Sequence, residues 1–221
     1  MSHYTVAVFL RDGASPEEAV EKLLAPYDEN LPVEEKIDED YPYGDKDNLL
    51  EKGLLNKAGD LFSTLNQDAQ WDWYVIGGRW HGELILKHGK TGIRGTPAWC
   101  EKQSKNYDGA YVRDIDFGSM RKQARERLTP YDEMLKDEWL GQKTLADYRD
   151  EEEYIQRNIT FQTYAVITPD GKWYAPGKVC WFGLSSETAE VKRSWDQKYY
   201  ERFLKPALEN NWYMVIVDCH I

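Results

Sequence analysis

The segment Trp71–Lys87 constrains the fold more than any other part of the chain. Its first half is aromatic and apolar, its second half is apolar again, and the pair Gly77-Gly78 lies between the two halves. Adjacent glycines permit the positive φ or the close backbone approach that a turn or bulge requires. The pattern therefore predicts two neighbouring strands, a central hairpin bent at the glycine pair, with the rest of the chain packed around it.

Two further segments predict interior strands. Residues 4–10 (YTVAVFL) and 212–221 (WYMVIVDCHI) are apolar at consecutive positions, which is typical of strands buried on both faces. After the first of these, Ser15 is placed to cap a helix that has Pro16 in its first position and a glutamate at capping-box spacing. Further along the chain, residues 169–171 (Pro-Asp-Gly) separate two short apolar runs and predict a hairpin.

The order of these elements predicts an α+β fold, with a mostly antiparallel sheet and helices packed on one face. The preferred version is a ferredoxin-like core with an inserted helical segment at about residues 117–157. A variable acidic loop is expected at about residues 27–47, where prolines and acidic residues replace any regular period. A chain of 221 residues suits a single domain, 1–221, that buries a sizeable core.

The negative charge is concentrated in one segment. The formal net charge is −11, and residues 15–51 contain thirteen Asp or Glu against three Lys. This balance argues against direct nucleic-acid binding, which requires Lys and Arg to neutralise phosphates. Two interpretations remain. Either the segment is a solvated surface that maintains solubility, or a face including Asp38, Glu39 and Asp40 docks on the basic surface of a partner protein.

The chain carries no pattern of a membrane or secreted protein. No apolar run reaches the roughly 18–20 residues that a membrane span requires, and the first residues lack the pattern of a signal peptide. The three cysteines, Cys100, Cys180 and Cys219, are widely spaced and form no metal-binding pattern with histidine. The sequence therefore predicts a reduced, cytoplasmic chain with no membrane contact, no cofactor and no metal site.

The aromatic segment also contains the candidate ligand-binding residues. They combine flat apolar faces, a planar cation and titratable groups, which suits a nucleotide-like ligand or an anionic partner. They are Trp71, Asp72, Trp73, Tyr74, Arg79, Trp80 and His81. In the alternative interpretation the aromatic residues form core, and Arg79 pairs with Asp72 or Glu83 to fix the hairpin. If Trp71 and Trp73 face the core, alternation turns Asp72 and Tyr74 outward.

A cysteine and a histidine, Cys219 and His220, are adjacent on the predicted last strand. Their side chains must point to opposite faces, so they cannot pair with each other. Each needs a partner from elsewhere, either Asp72 or Glu83 for His220, or His81 for Cys219. The competing interpretation is that Cys219 is a small buried apolar side chain. The sequence contains neither a nucleophile elbow nor a phosphate-binding loop, and it favours a binding protein over an enzyme.

Four stretches carry a resemblance to a known group of proteins. They are MSHYTV at the start, LAPYDEN at 24–30, WDWYVIGGRW at 71–80 and VDCHI at 217–221. In these stretches the chain resembles a family of hypothetical proteins encoded by bacteriophages and prophages, while residues 31–66 and 88–160 match less well. The resemblance implies an accessory protein of the phage type in the host cytoplasm.

Together with the acidic segment, this resemblance leads to three hypotheses. The first is a non-enzymatic protein that binds a host protein through its acidic and aromatic surfaces. The second is a binder of a nucleotide-like small molecule, or an enzyme, with its site at the hairpin from Trp71 to His81. The third is a structural or homo-oligomeric protein without a ligand.

Overall fold

The computed structural model describes residues 2–34, 36–37, 62–63, 66–99, 102–179 and 185–221. The predicted docking residues Asp38, Glu39 and Asp40 lie outside the described residues, as do Cys100 and Cys180.

Within these ranges the chain forms nine strands and seven α-helices. The strands are β1 (His3–Leu10), β2 (Lys36–Ile37), β3 (Phe62–Ser63), β4 (Trp73–Gly78), β5 (Thr96–Pro97), β6 (Gly109–Tyr111), β7 (Ala165–Ile167), β8 (Trp173–Tyr174) and β9 (Tyr213–His220). The α-helices are α1 (Pro16–Leu24), α2 (Phe117–Arg127), α3 (Tyr131–Met134), α4 (Glu138–Asp147), α5 (Glu151–Ile159), α6 (Ala189–Tyr199) and α7 (Lys205–Glu209). A π-helical turn, Tyr200–Leu204, joins α6 to α7.

Seven of the strands form one mixed sheet in the order β5-β4-β9-β1-β7-β8, with β6 also paired to β9. The last strand, β9, runs antiparallel to β1, β4 and β6, whereas β1 and β7 are parallel neighbours. The predicted α+β class is confirmed, with a sheet that is mixed rather than purely antiparallel. The strand order differs from that of a ferredoxin-like core, because neighbouring strands of such a core are all antiparallel, whereas β1 and β7 are parallel neighbours here.

Helices cover both faces of the sheet rather than one. On one face Val6 and Val8 of β1 belong to a buried cluster with Val20 and Leu24 of α1. On the other face Phe9 and its neighbours pack against α2, α6, the π-helical turn and α7. The predicted interior position of the first and last strands is confirmed, because residues 6–10 and 213–219 are buried. A strand that is apolar on both faces requires cover on both, which explains the second helical layer.

The prediction of a central hairpin is wrong. Gly77 and Gly78 do have positive φ, 86° and 57°, but the chain does not fold back on β4 after them. Leu84 instead forms an isolated bridge with Tyr107, so the second apolar run pairs with a later segment. The hairpin around residues 169–171 is confirmed, since β7 and β8 pair antiparallel.

The first helix begins at Pro16 as predicted, but the side chain of Ser15 makes no capping hydrogen bond. Among the described residues, side-chain caps are made at other helices, where Asp116, Asp137, Asp150 and Thr188 accept backbone N–H bonds. In the described part of the chain, every helix is too short or too polar to cross a membrane.

Four helices, α2 to α5, lie in the segment predicted as an insertion, and buried charges attach it to α6. Glu153 of α5 accepts hydrogen bonds from Arg193 Nε at 2.7 Å and from Arg149 Nε at 2.9 Å. Arg157 Nε donates to Asp196 Oδ2 at 2.5 Å. Because the buried side chains of Glu153, Arg157 and Asp196 each have an oppositely charged partner, the helices pack together without an isolated buried charge among these three residues.

Acid is expected to weaken this attachment. Burial raises the pKa of the Glu153 carboxyl, but hydrogen bonds from Arg149 and Arg193 outweigh burial and lower the pKa from 4.5 to about 2. The stabilisation from Glu153 is therefore complete above about pH 4.5 and is lost as the pH falls towards about 2. The side chain of Arg149 is 66% exposed, and solvent screens its charge. We therefore expect a loss of only about 2 kcal/mol in the free energy of unfolding.

Denaturant unfolding at about pH 5 and about pH 2.5 measures this loss, because the slope of stability with pH reports the protons taken up on unfolding. The Glu153→Gln variant should lose less stability between these two pH values than the unsubstituted protein. The same loss in both proteins would contradict the assignment.

Candidate ligand-binding site

One face of the sheet changes from apolar to polar along its strands. On β9, Met214 and Ile216 lie in the core, and the next residues on the same side are Asp218 and His220, because alternate residues of a strand share a face. The β1–β9 register places His3 directly opposite His220. The polar ends of these two strands therefore meet at one end of the sheet.

A cleft of about 690 Å³ lies over this polar end. The strands contribute His3, Trp73, Val75 and Asp218 to its lining, and the segment from Thr96 through Trp99 contributes further residues. This segment is held beside β4, because the N–H of Ala98 donates to the carbonyl oxygen of Gly78 at 3.0 Å. The cleft is thus formed by the sheet together with the chain that follows the glycine turn.

Asp218 is the buried carboxylate at the base of the cleft, with only 1% of its surface exposed. Its Oδ1 lies 2.8 Å from His3 Nδ1, and its Oδ2 accepts the backbone N–H of Arg79 at 2.9 Å. An ionised carboxylate only accepts hydrogen bonds, so His3 Nδ1 is the donor and carries a proton. Asp218 therefore orients the His3 ring and holds the turn that carries Arg79.

A second histidine–carboxylate pair lies beside the first. The ring centroids of His3 and His220 are 5.0 Å apart in a T-shaped arrangement, and His220 Nδ1 lies 2.6 Å from Asp72 Oδ1. Of the partners predicted for His220, the structure shows Asp72. Trp73 of β4 also contacts His3, with ring centroids 6.2 Å apart. The His3 ring is thus held by its neighbours as well as by Asp218.

Cys219 lies on the opposite face of β9 and is fully buried. Burial raises the pKa of the Cys219 thiol well above its usual value, and the neighbouring Asp218 charge raises it further. Since the thiolate is the nucleophilic form, this cysteine is unsuited to catalysis. The structure supports the interpretation of Cys219 as a small buried side chain.

His81 belongs to a different cluster from His3. Its side chain is 1% exposed, its Nδ1 lies 2.8 Å from Asp108 Oδ2, and its Nε2 accepts the N–H of Ser104 at 3.0 Å. Asp108 also accepts the backbone N–H groups of Gly82 at 2.6 Å and Gly95 at 2.7 Å. Both ring nitrogens of His81 therefore face protein groups, and the cluster holds the loops beside the cleft.

The structure separates the seven predicted ligand-binding residues. Trp73 and Arg79 line the cleft, and Asp72 lies near it through His220. Trp80 packs against the buried cluster on the face of the sheet that α6 covers. His81 belongs to the cluster around Asp108 that holds the loops beside the cleft. The seven residues therefore do not form a single binding site.

Trp71 and Trp73 do not both face the core, so the condition under which Asp72 and Tyr74 would turn outward is not met. Trp71 is 8% exposed, its Nε1 donates to the Leu24 carbonyl oxygen at 3.0 Å, and Tyr74 packs against it with ring centroids 5.0 Å apart. Trp73, in contrast, is 51% exposed. The chain bends at Asp72 before β4 begins, so strand alternation does not extend back to Trp71.

Reasoning from the sequence missed His3, Asp218 and Trp99. One signal was available for the first two residues. On the first predicted strand, His3 and Thr5 share a face with Ala7 and Phe9. On the last predicted strand, Asp218 and His220 share a face with Met214 and Ile216. Polar residues at one end of an otherwise apolar strand face indicate that this end is not covered by core. For Trp99 there was no comparable pattern.

Among the described residues, no group of three or more His, Cys, Asp or Glu is arranged to hold a metal ion. Comparison of the chain with models of protein families, with curated proteins and with solved structures gave no match.

Proposed function

We propose that the chain binds a planar, anionic small molecule of the nucleotide class in the cleft over Asp218. The observation that carries this proposal is the exposure of two tryptophans in one cavity, Trp73 at 51% and Trp99 at 100%. Tryptophan is a largely buried residue in most folded proteins, and an open indole face in a concave site suits stacking on a base. The volume of about 690 Å³ lies within the range of about 300–1,000 Å³ that is usual for small-molecule sites.

Arg79 supports the anionic part of the proposal. Its side chain is exposed and lines the cleft, while its backbone N–H is fixed by Asp218. The ion pairs found among the described residues do not include Arg79, so neither Asp72 nor Glu83 engages it there. A guanidinium on a fixed turn can bind a phosphate or carboxylate with two parallel hydrogen bonds.

The charge of Asp218 does not oppose an anionic ligand as strongly as an isolated carboxylate would. Its two oxygens face His3 Nδ1 and the N–H of Arg79, at 2.8 and 2.9 Å. These two contacts partly compensate the negative charge of the carboxylate, since hydrogen bonds to a carboxylate are charge-assisted. The base of the cleft therefore presents a histidine ring and a guanidinium to the ligand.

The hypothesis of a phage-type accessory protein that binds a host protein stays a prediction. It depended on Asp38, Glu39 and Asp40, which lie outside the described residues. The cleft offers a separate and more specific set of contacts, and for this reason it carries the proposal.

Calorimetric titration with nucleoside mono-, di- and triphosphates tests the proposal. The Arg79→Ala variant should raise the Kd of the best ligand at least about tenfold, because a hydrogen bond to a charged group contributes about 1.5–3 kcal/mol. The Trp73→Ala variant should raise it about tenfold, since base stacking on an aromatic side chain contributes about 1–3 kcal/mol.

Trp139→Ala is the matched control, because Trp139 is 70% exposed but does not line the cleft. This variant should bind with the Kd of the unsubstituted protein. The proposal is rejected if no nucleotide binds at about 1 mM, or if all three variants weaken binding equally.

A further inference from the structure

The His3–Asp218 pair has a feature that ligand binding alone does not require. Nδ1 of His3 faces the buried Asp218 carboxylate at 2.8 Å, while the ring lines the cleft and its side chain is 17% exposed. Nε2 lies on the other side of the ring, and the hydrogen bond found for the His3 side chain among the described residues is the one at Nδ1. In the neutral tautomer that has its proton on Nδ1, Nε2 carries the lone pair of the imidazole. This is the arrangement of a general base.

The same carboxylate connects this base to Arg79. Asp218 Oδ1 faces His3, and Asp218 Oδ2 accepts the N–H of Arg79. The side chains of both residues line the cleft. A phosphate bound by the Arg79 guanidinium would therefore share the cleft with the His3 ring, and proximity of the base to the reacting group is a main requirement of general-base catalysis.

We propose that the cleft hydrolyses a phosphodiester of the nucleotide class, with His3 as the general base and Asp218 as its positioning residue; this inference rests on the proposed function. His3 Nε2 takes a proton from a water molecule as the water oxygen forms a bond to phosphorus. The phosphorus–oxygen bond to the leaving alcohol breaks, and the leaving oxygen keeps the electron pair and takes a proton from solvent. His3 then releases its proton to solvent. Arg79 stabilises the charge that develops on the phosphoryl oxygens.

The remaining charged neighbours do not replace His3 in this role. From β9, His220 faces the His3 ring, but its Nδ1 is bound to Asp72 and its Nε2 is buried. Asp218 is buried below the ring. His220 is therefore expected to support the ring of His3 rather than to contact the ligand.

Steady-state hydrolysis of bis(p-nitrophenyl) phosphate and of nucleoside 2′,3′-cyclic monophosphates tests the inference. His3→Gln should lower kcat at least about 100-fold, since a general base contributes roughly 100- to 10,000-fold, and KM should change less than about threefold. His3→Ala should recover part of its activity when imidazole is added to the buffer, which a residue with a purely structural role would not show. His88→Gln, which changes an exposed histidine away from the cleft, should leave kcat unchanged.

Substitution of the carboxylate that positions His3 gives a second readout. Asp218→Asn should lower kcat with a smaller change in KM, because the amide no longer fixes the proton on Nδ1.

Several outcomes overturn the inference. Binding of nucleotides without hydrolysis of any of these diesters removes the role of His3 and leaves the proposed function standing. Hydrolysis that His3→Gln does not slow also removes that role. The absence of both binding and hydrolysis removes both proposals.

Discussion

A Gly78→Ala variant should lose about 3 kcal/mol of its free energy of unfolding. Gly78 has a φ of +57°, a left-handed conformation that costs a residue with a side chain about 1–2 kcal/mol. In addition, an added Cβ would lie 2.3 Å from Asp218 Oδ2 and 2.4 Å from Asp218 Cβ. Asp218 belongs to the central strand β9 and cannot retreat freely, so overpacking adds about 1–3 kcal/mol. Denaturant unfolding measures the loss, and ligand binding should weaken in parallel as the turn carrying Arg79 shifts.

The matched control for this variant is Gly89→Ala. Gly89 also has a positive φ, +76°, but an added Cβ would meet no atom within 4 Å. The control should therefore show the cost of the backbone conformation alone, about 1 kcal/mol. If the two variants lose equal stability, the contact between Gly78 and Asp218 is not responsible for the effect.

An Asp108→Ala variant should lose about 4 kcal/mol of its free energy of unfolding. Asp108 is fully buried and accepts hydrogen bonds from the N–H groups of Gly82 and Gly95, with His81 Nδ1 at 2.8 Å. Removal of the carboxylate leaves these donors without a partner, and each buried unsatisfied group costs about 1–3 kcal/mol. Because Gly95 directly precedes β5, we also expect a weaker affinity of the cleft for its ligand.

Asp108→Asn separates the loss of hydrogen bonds from the loss of volume. The amide keeps the size of the side chain and one accepting oxygen, so the variant should lose less stability than Asp108→Ala. A thermal unfolding series of the three proteins measures the difference. A loss of less than about 1 kcal/mol in Asp108→Ala would show that water replaces the carboxylate without cost.

The parts of the fold that could be predicted are those in which local pattern and final environment agree. Residues 4–10 and 212–221 are apolar at consecutive positions, and they form strands buried on both faces. The Pro-Asp-Gly turn at 169–171 joins strands that are close in sequence. The apolar run at Leu84, in contrast, pairs with Tyr107. A pattern within one segment does not identify so distant a partner.

The candidate site was less predictable because the pairing of β1 with β9 creates it. Trp73 and Arg79 were found through their residue types alone. His3 becomes a candidate site residue only because it lies beside Asp218 in the folded sheet. These two residues are separated by almost the whole sequence, so no local pattern connects them. The aromatic motif at 71–80 suggested a single cluster, but the bend at Asp72 and the turn after Gly78 direct its members to different surroundings.

The shared strand β9 has a consequence for the order in which the protein folds. It is the common partner of β1, β4 and β6, and its register pairs His3 with His220. Contacts between segments so far apart in sequence require closure of long loops, and proteins rich in such contacts fold slowly. Until residues 213–220 are in place, three strands lack the neighbour that joins them. We therefore expect the base of the cleft to be completed late in folding, and ligand binding during refolding would report that the sheet has closed.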